Sequence, residues 1–577
     1  MCRPAHSEGS RIRRLSLPRW LHLDFGGLII GGFVLALTLT PSLVPRPALF
    51  QGLIAGIGFG LGYAVGAGLF WIVRRAIPWR PSRRTVVIVW WVFWVAAAAG
   101  ALWLRFAAVA WQNDVRRLVE MPPIDAADYA TYFAVSLVVS VAAIALGRAV
   151  ARLFRWLRRL ISALLTRRSG EAVPPRSVRI GSTAASLLAT ALVIALVCSG
   201  VGALGMFAVD RVYSARNDVV QTDVREPAST YRSAGPGSAV AWNALGSQGR
   251  AFVGGGPTAE QISALTGEPA VTPIRVYVGM TERVSLEARA ALAVQELVRT
   301  GAFDRRVLVV ATTTGSGWLE PQAMDALEYL QGGDTAIVSM QYAYTPSWVS
   351  FVFDQELPVA ASKALFDAVH AKWAALPSGH RPQLIAYGLS LGAHGMQSVF
   401  TSLADVRTRT DGALFVGSPN GTPLWNELQD ARTPGSPAWQ PVLDDGAEVR
   451  WLSSRGDFDR LPGPWTAPRV AYLQHASDPV TWLGPSLLWS EPDWLKPGKR
   501  GPDISSDMRW IPLVTGAQVL VDMLLGESVP ARHGHNYGDV ILDAWVAVSR
   551  PTELSDAALA RVQAKLESYA TDSPISE

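Results

Sequence analysis

The chain has 577 residues, more than one ordinary domain, so two or more independently packed parts are expected. It is 49% hydrophobic and only 17% charged, which is more apolar than a typical soluble protein and indicates a membrane-embedded part. The net charge of +5 comes mainly from arginines that stand between apolar runs, and this distribution argues against nucleic-acid binding. The chain has two cysteines, which are too few for a disulfide framework or a Cys-based metal site.

Five apolar runs fill the first third of the chain. Each has about 20 residues or more, the length that a helix needs to cross a hydrocarbon core of about 30 Å. The predicted spans are Phe25–Val44, Leu49–Val73, Val86–Trp111, Tyr129–Val150 and Thr183–Val209. Basic residues precede the first run, but it is long and further spans follow, so we expect an uncleaved helix rather than a secretory signal. The sequence therefore predicts a basic N-terminus at 1–24 and an all-α transmembrane domain at 25–209.

Arginines are distributed unevenly between the connecting loops. They are frequent before the first span, between the second and third spans, and between the fourth and fifth. The two other loops carry Arg46 alone, or Arg116 and Arg117 offset by acidic residues. Because loops rich in Lys and Arg stay in the cytoplasm, the N-terminus is predicted to be cytoplasmic. An odd number of spans then places the chain after Val209 outside the cytoplasmic membrane.

The second span carries glycines at four-residue spacing. Gly52, Gly56 and Gly60 recur on one helix face, where small residues allow another helix to approach closely. We interpret them as packing positions rather than as part of a transport pathway.

Beyond residue 209 the pattern changes to alternating strands and helices. The segment 210–257 is rich in Gly, Ser and polar residues, and we interpret it as a linker and entry segment. The predicted strands are Pro273–Gly279, Arg306–Ala311, Thr335–Met340, Gln383–Tyr387, Gly412–Val416 and Arg469–Gln474, and the predicted helices include Ser285–Thr300, Pro321–Leu330, Gln355–Ala375, one from Ser390 to about Leu403, and Val540–Val548. This alternation predicts an α/β domain at 258–577 with a mostly parallel sheet that helices cover on both faces.

One short motif carries the chemistry. Gly388, Ser390 and Gly392 form G-x-S-x-G, a weak pattern by itself in a chain with 51 glycines. Here a buried strand leads into the motif and a helix follows, which is the context of a sharp turn that exposes a nucleophilic serine. We therefore predict that Ser390 is a catalytic nucleophile, with a structural turn serine as the alternative.

A serine nucleophile needs a histidine base that a carboxylate orients, and after a turn of this kind the acid and then the histidine follow along the chain. Asp478 lies in a loop just past the predicted strand Arg469–Gln474 and is the preferred acid. Asp457 is the rival, but it stands beside Asp459 in a polar loop.

The base is sought in the run R-H-G-H-N-Y at 532–537. His535 is preferred and His533 is a close second, just before the helical pattern Val540–Val548. Either histidine could instead cap that helix or bind a carbonyl group. His394 and His475 are interpreted as structural or pocket-lining residues.

The remaining groups of such a site are predicted from position. The backbone N–H of Leu391 and one from the glycine-rich turn at 313–318, at Gly315 or Ser316, would bind an oxyanion. An H-x-H pair without cysteines or a compact carboxylate set is a weak metal signal, so we expect neither a metal nor a cofactor. Two apolar loops, Tyr342–Phe353 and Val480–Leu495, are predicted to enter the membrane interface, to line an acyl pocket or to pack as a lid.

The chain resembles a largely uncharacterised bacterial α/β-hydrolase family, in which an N-terminal multi-pass membrane region precedes a C-terminal hydrolase domain. The resemblance rests on the spans and on VYVGMTERVSLEARAALAVQELVRTGAFDR, TTTGSGW, GLSLGAHG, LQHASDPVTW and GHNY. It implies a serine-hydrolase site at Ser390, Asp478 and the His533/His535 pair, and it implies no substrate.

The expected function is a membrane-anchored, esterase- or lipase-like serine hydrolase that acts on a lipid or cell-envelope ester at the outer face of the cytoplasmic membrane. Its expected partners are the bilayer and the ester substrate, without nucleic acid. An inactive hydrolase-fold scaffold and an acyltransferase that uses the same nucleophile are the alternatives.

Overall fold

The computed structural model describes residues 23–77, 82–169, 176–280, 285–551 and 554–572. Some residues used in the sequence predictions lie outside these ranges. They are the arginines of the predicted N-terminal segment and Arg80, which contribute to the orientation prediction, and residues 281–284 of the run VYVGMTERVSLEARAALAVQELVRTGAFDR. The described residues form two compact units. One contains the residues up to Leu39 with Pro47–Ala107 and Asp125–Ala191, and the other contains Thr40–Arg46, Ala108–Ile124 and the chain from Leu192 onward.

Five helices make up the N-terminal region. They are α1 (Phe25–Thr38), α2 (Ala48–Ala76), α3 (Arg83–Leu118), α4 (Ala126–Ser169) and α5 (Arg176–Asp218). In the described residues, α2, α3, α4 and α5 are long and apolar enough to cross a membrane by length and composition, whereas α1 is a shorter apolar helix. The helical N-terminal region predicted from the sequence is confirmed, with four candidate spans among its helices.

Helix α1 ends earlier than predicted. It has 14 residues, or about 21 Å at 1.5 Å per residue, whereas the predicted span continued to Val44. Pro41, Pro45 and Pro47 follow it, and proline lacks the N–H that a continuing helix needs. The chain therefore leaves the helix at Leu39, and the next seven residues belong to the other compact unit.

The glycines of α2 lie against α4, as expected for packing positions. A Cβ added to Gly52 would lie 2.9 Å from Cβ of Val135, and one added to Gly56 would lie 2.6 Å from Cβ of Val139. Larger residues at these two positions would push the helices apart.

The C-terminal unit contains one seven-stranded sheet. Its strands are β1 (Ile274–Val278), β2 (Val307–Thr312), β3 (Thr335–Met340), β4 (Gln383–Leu389), β5 (Gly412–Val416), β6 (Val449–Leu452) and β7 (Arg469–Leu473). The order across the sheet is β1-β3-β2-β4-β5-β7-β6, and all neighbours are parallel. The predicted α/β class with a mostly parallel sheet is confirmed. Strand β6 is the run Val449–Leu452 that precedes the rival acid Asp457.

Helices cover both faces of this sheet, and nearly every strand residue is therefore buried. The helices are α6 (Gly246–Gly254), α7 (Ala259–Thr266), α8 (Leu286–Thr300), α9 (Pro321–Leu330), α10 (Ser347–Phe353), α11 (Glu356–Ala374), α12 (Leu391–Gln397), α13 (Leu403–Arg409), α14 (Pro423–Asp430), α15 (Pro479–Trp482), α16 (Val514–Met523), α17 (Ile541–Ser549) and α18 (Asp556–Asp572). The helix predicted from Ser390 to about Leu403 ends at Gln397, and α13 follows as a separate helix.

The segment predicted as a linker, 210–257, packs onto the sheet. Helix α5 extends into it as far as Asp218, and α6 occupies its end. Arg232 pairs in parallel with Arg275 of β1, and the side chains of Leu245 and Val253 are fully buried. These contacts make the segment part of the α/β core.

The seven residues after α1 are anchored to α16. Asp522 of α16 is fully buried and accepts hydrogen bonds from the Ser42 hydroxyl, from the Leu43 N–H at 3.1 Å and from Nε of Arg46 at 2.7 Å. The Arg46 guanidinium also donates to the carbonyl of Gln518 at 3.2 Å. A buried ion pair thus joins the loop between α1 and α2 to the α/β domain.

Candidate active site

Ser390 lies at the sharp turn between β4 and α12. Its φ of 56° and ψ of −123° are a strained combination for a residue with a side chain. A Cβ on Gly388 would lie 2.4 Å from the carbonyl oxygen of Gly392, and a Cβ on Gly392 would lie 2.4 Å from the carbonyl oxygen of Thr312. Both flanking glycines of the motif are therefore required by close backbone approach, and the turn has the geometry that places a serine hydroxyl above a strand end.

His535 and Asp478 form a buried pair. Nδ1 of His535 lies 2.7 Å from Oδ2 of Asp478, and both side chains are almost inaccessible to solvent. Asp478 follows β7 and caps α15, where its Oδ1 accepts the N–H of Val480 at 2.8 Å. The N–H of His535 donates to the carbonyl of Gly526 at 2.8 Å, which fixes the loop that carries the ring.

Two further hydroxyls bind the same carboxylate. The phenol of Tyr537 donates to Oδ2 of Asp478 at 2.6 Å, and Thr481 donates at 3.3 Å. Burial raises the pKa of Asp478, but the charge attraction of His535 and the hydrogen bonds from His535, Tyr537 and Val480 outweigh it, so the pKa lies below its ordinary value. Asp478 is therefore held as an oriented carboxylate next to the imidazole.

Ser390 and His535 face one cavity of about 200 Å³. Leu391, whose backbone N–H begins α12, also lines it. The other lining residues are Tyr213, Pro346, Ser347, Trp348, Phe351, Val480, Met523, Leu524 and Glu527. The fold thus brings a serine, a histidine and a carboxylate together from the ends of β4 and β7 and from the loop before α17.

Two family models together match most of the chain. A family model described as the alpha/beta-hydrolase family matches residues 274–562, and the model of that family's N-terminus matches residues 39–257. The chain belongs to the α/β-hydrolase family. No curated protein and no solved structure gave a significant match. The family and fold predicted from the sequence are confirmed, and membership indicates hydrolase activity.

The rival residues of this α/β-hydrolase lie elsewhere. Nδ1 of His533 is 3.9 Å from Oδ2 of Asp503, a carboxylate that also accepts the N–H of Ser477 at 3.2 Å. The carboxylate of Asp457 accepts the backbone N–H groups of Ser453 and Ser454 at 2.9 and 2.8 Å. Asp457 therefore holds its own loop, and neither rival contributes to the pair of His535 and Asp478.

Two other histidines have structural contacts. Nδ1 of His394 lies 3.1 Å from the hydroxyl of Thr422. The ring of His475 stacks on Tyr537 with centroids 4.2 Å apart, and its Nδ1 lies 3.0 Å from the carbonyl oxygen of Gly534. Burial lowers the pKa of both histidines below the ordinary value. Their contacts agree with the structural interpretation made from the sequence.

The glycine-rich turn after β2 lies beside the nucleophile turn, but the two residues predicted for it have other contacts. The N–H of Gly315 donates to the hydroxyl of Ser347 at 3.0 Å, and Ser316 lines a neighbouring cavity with Tyr213. Thr313 is closer, because a Cβ on Gly392 would lie 2.9 Å from its carbonyl oxygen.

Three hydroxyls of this turn are buried without a partner. Within the described ranges, the side chains of Thr313, Thr314 and Ser316 have no hydrogen-bond partner. Buried hydroxyls of this kind are uncommon in folded proteins.

Sequence reasoning missed two residues of the site. Tyr537 stands two positions after His535 in the GHNY run that carries the family resemblance, and that spacing is the signal that could have identified it. Glu320 stands two positions after the glycine-rich turn at 313–318 and is buried. Its pKa is raised to about 7, mainly by burial. The charge of His535 opposes this shift, and the charge of Asp539 adds to it. No sequence pattern marks this glutamate, because its neighbours come from the far end of the chain.

Proposed function

We propose that the protein is a membrane-anchored serine hydrolase that cleaves a carboxylic ester of a lipid or cell-envelope component. The observation that carries the proposal is the hydrogen bond of 2.7 Å between His535 and Asp478 beside a cavity that Ser390 shares with His535. Family membership and the strained turn at Ser390 support it. Four helices of membrane-spanning length support attachment to a membrane, and the distribution of arginines favours a hydrolase domain at the outer face.

The proposed mechanism assigns one role to each residue. His535 removes the proton from the Ser390 hydroxyl, which attacks the ester carbonyl. Asp478 orients the ring through Nδ1 and stabilises the imidazolium that forms. His535 then protonates the departing alcohol, and a water molecule hydrolyses the acyl-enzyme by the reverse proton transfers.

The tetrahedral intermediates need donors for their negatively charged oxygen. The backbone N–H of Leu391 is the proposed first donor, because it adjoins the nucleophile and lines the same cavity. The turn at 313–316 is the proposed source of the second donor, on the basis of its contact with Gly392. The loss of one such donor lowers kcat by about 10²–10³-fold in well-studied hydrolases.

A fluorophosphonate probe tests the proposal on the purified full-length protein. We expect covalent labelling of the wild type and none of Ser390→Ala. The matched control is Ser436→Ala, a serine on a surface loop, which should label like the wild type. Absence of labelling in the folded wild type, or equal labelling of Ser390→Ala, would favour an inactive scaffold and overturn the proposal.

The same protein can distinguish hydrolysis from acyl transfer. Incubation with an ester and an added alcohol should yield the free acid as the main product. A new ester as the main product would assign the same nucleophile to an acyltransferase.

A further inference from the structure

Helix α5 reaches the candidate active site directly. Tyr213, near the C-terminal end of α5, lines the cavity that contains Ser390 and His535. One turn earlier, the carboxylate of Asp210 accepts the hydroxyl of Tyr344 at 2.5 Å, from the loop before α10. The cavity is therefore attached to the end of a helix that is long and apolar enough to cross a membrane.

The position of Tyr213 along α5 gives the depth of the cavity. The apolar run of α5 ends at Val209, and a rise of 1.5 Å per residue places Tyr213 about 6 Å beyond it. The polar headgroup layer adds about 5–8 Å to each side of the hydrocarbon core. With α5 across the bilayer, Tyr213 and the cavity that it lines would lie at the level of the lipid headgroups.

Exposed apolar side chains lie on or next to α10 and α16, two helices that contribute to the lining of the cavity. Trp348 on α10 and Leu524 after α16 line the cavity and are themselves exposed. On the same two helices, Phe353 of α10 is 66% exposed and Leu520 of α16 is 46% exposed. We call these four residues the apolar rim. Single exposed apolar residues are ordinary, but several on two helices that line one cavity mark an interaction surface. The attachment of the same cavity to α5 favours the bilayer as the partner of that surface.

The cavity is too small to enclose a lipid. Sites that bury a whole small molecule usually measure about 300–1,000 Å³, whereas this one measures about 200 Å³. Only the ester group and the atoms next to it fit beside Ser390. The rest of a long acyl chain would have to lie outside, against the apolar rim.

We infer that the apolar rim enters the surface of the bilayer and that the substrate is an acyl ester of a resident bilayer lipid, which reaches Ser390 without leaving the membrane. This inference rests on the proposed hydrolase function and narrows its substrate to one class. Ser390 Oγ bonds to the acyl carbon, the bond from that carbon to the alcohol oxygen breaks, and the alcohol leaves with the proton from His535. Water then releases a free fatty acid, so one ester and one water yield one acid and one alcohol.

The test compares two substrates on the full-length protein. The protein is reconstituted into vesicles of phosphatidylethanolamine and phosphatidylglycerol with radiolabelled oleoyl chains, and release of oleic acid is measured. Hydrolysis of a water-soluble butyryl ester is measured on the same samples. The variant is Phe353→Ser with Leu520→Ser, because neither residue lines the cavity. Serine removes the apolar surface with which these two side chains would enter the bilayer. We therefore expect release of oleic acid to fall at least tenfold while hydrolysis of the soluble ester stays within twofold.

The matched control is Val271→Ser. Val271 is exposed and precedes β1 at the amino-terminal edge of the parallel sheet, whereas Ser390 follows the carboxyl end of β4. This variant should leave both rates unchanged. The inference is overturned if the rim variant retains the wild-type rate on vesicles, if both rates fall together, or if the wild type cleaves the soluble ester but not the vesicle lipid. In that last case the proposed function stands. If neither ester is cleaved and the fluorophosphonate does not label Ser390, the proposed function itself fails.

Discussion

At the scale of single residues, Asp478 connects the fold to the proposed chemistry. Its carboxylate accepts hydrogen bonds from His535, Tyr537, Val480 and Thr481, so both oxygens are held in place. A histidine needs such a partner to present its other nitrogen to a serine in the correct tautomer. The distance to His535 is therefore the feature by which Asp478 is preferred over Asp457.

Asp478→Asn should lower kcat by about 10³–10⁴-fold, because an amide keeps the shape of the carboxylate but selects the wrong tautomer of His535. Hydrolysis of a soluble ester measures the effect. Asp457→Asn is the control and should keep wild-type kcat, since its carboxylate binds only its own loop. The opposite result for the two variants would move the acid to Asp457.

Glu320 makes stability depend on pH. Burial raises its pKa to about 7 from 4.5, so the folded state holds this proton more tightly than the unfolded chain. The resulting stabilisation is complete below about pH 4.5 and is lost as pH rises through about 7, a change of about 3 kcal/mol. Glu320→Gln lacks this dependence. The difference between the Tm of Glu320→Gln and the Tm of the wild type should therefore be more positive at pH 8 than at pH 5.

Thermal unfolding of the purified protein at pH 5 and pH 8 measures this difference. Glu491→Gln, which removes an exposed carboxylate, serves as the control and should follow the wild type. A constant offset between Glu320→Gln and the wild type at both pH values would contradict the assignment.

At the scale of elements, the loop between α1 and α2 is part of the α/β domain. Prolines end α1, and the released segment Thr40–Arg46 places Arg46 against Asp522 of α16. The end of α16 and the residue after it, Met523 and Leu524, line the candidate active site. The loop therefore supports one wall of the cavity.

Arg46→Met should destabilise the protein by about 3–5 kcal/mol, because it leaves the carboxylate of Asp522 buried without its cation. The Tm in detergent measures the loss, and Arg46→Met with Asp522→Asn should recover part of it. Arg117→Met is the control. Arg117 is 70% exposed in its pair with Asp114, so this change should cost at most about 1 kcal/mol. Equal effects of Arg46→Met and Arg117→Met would contradict the role of the buried pair.

At the scale of the whole molecule, the segments that make up the second compact unit bear on the topology of the chain across a membrane. This unit contains the loop Thr40–Arg46, the segment Ala108–Ile124 and the chain from Leu192 onward, and Ser505 donates to Asp114 at 2.7 Å. Loops that pack on a domain lie on the same side of a membrane as that domain, whereas Leu192–Val209 belongs to the apolar run of α5 itself. Two helices separate the first segment from the second, α2 and α3, and two separate the second from the C-terminal domain, α4 and α5. The side of the membrane on which the N-terminus lies, in contrast, depends on whether the 14-residue helix α1 crosses that membrane.

Reporters at the two ends separate these possibilities. Alkaline phosphatase fused after Glu577 should be active, and a green fluorescent protein fused before Met1 should fluoresce, if the N-terminus is cytoplasmic and the hydrolase domain is outside. Activity of phosphatase fusions at both ends would mean that α1 does not cross. A fluorescent C-terminal fusion would contradict the proposed outer location.

Much of the architecture was predictable from local patterns. The bounds of β3, β5 and α9 agree with the sequence prediction to the residue, because buried parallel strands and amphipathic helices have distinct periodicities and are bounded by turn residues. The early end of α1 and the packing of 210–257 were not predicted. Composition indicates polarity, but it does not indicate which loop finds a buried partner elsewhere in the chain.

The family resemblance, the long apolar helices, the parallel α/β sheet and the turn that carries Ser390 could be predicted, because contiguous residues encode each of them. The pairing of one carboxylate with one histidine became visible only in the folded chain. Asp478 and His535 are 57 positions apart, and Arg46 and Asp522 are 476 positions apart, so neither pair leaves a local signal. The first contact arises because Asp478 follows the carboxyl end of β7 and the loop that carries His535 returns to that end of the sheet, and the second because the loop after α1 packs on α16. That geometry belongs to the fold and not to any single segment.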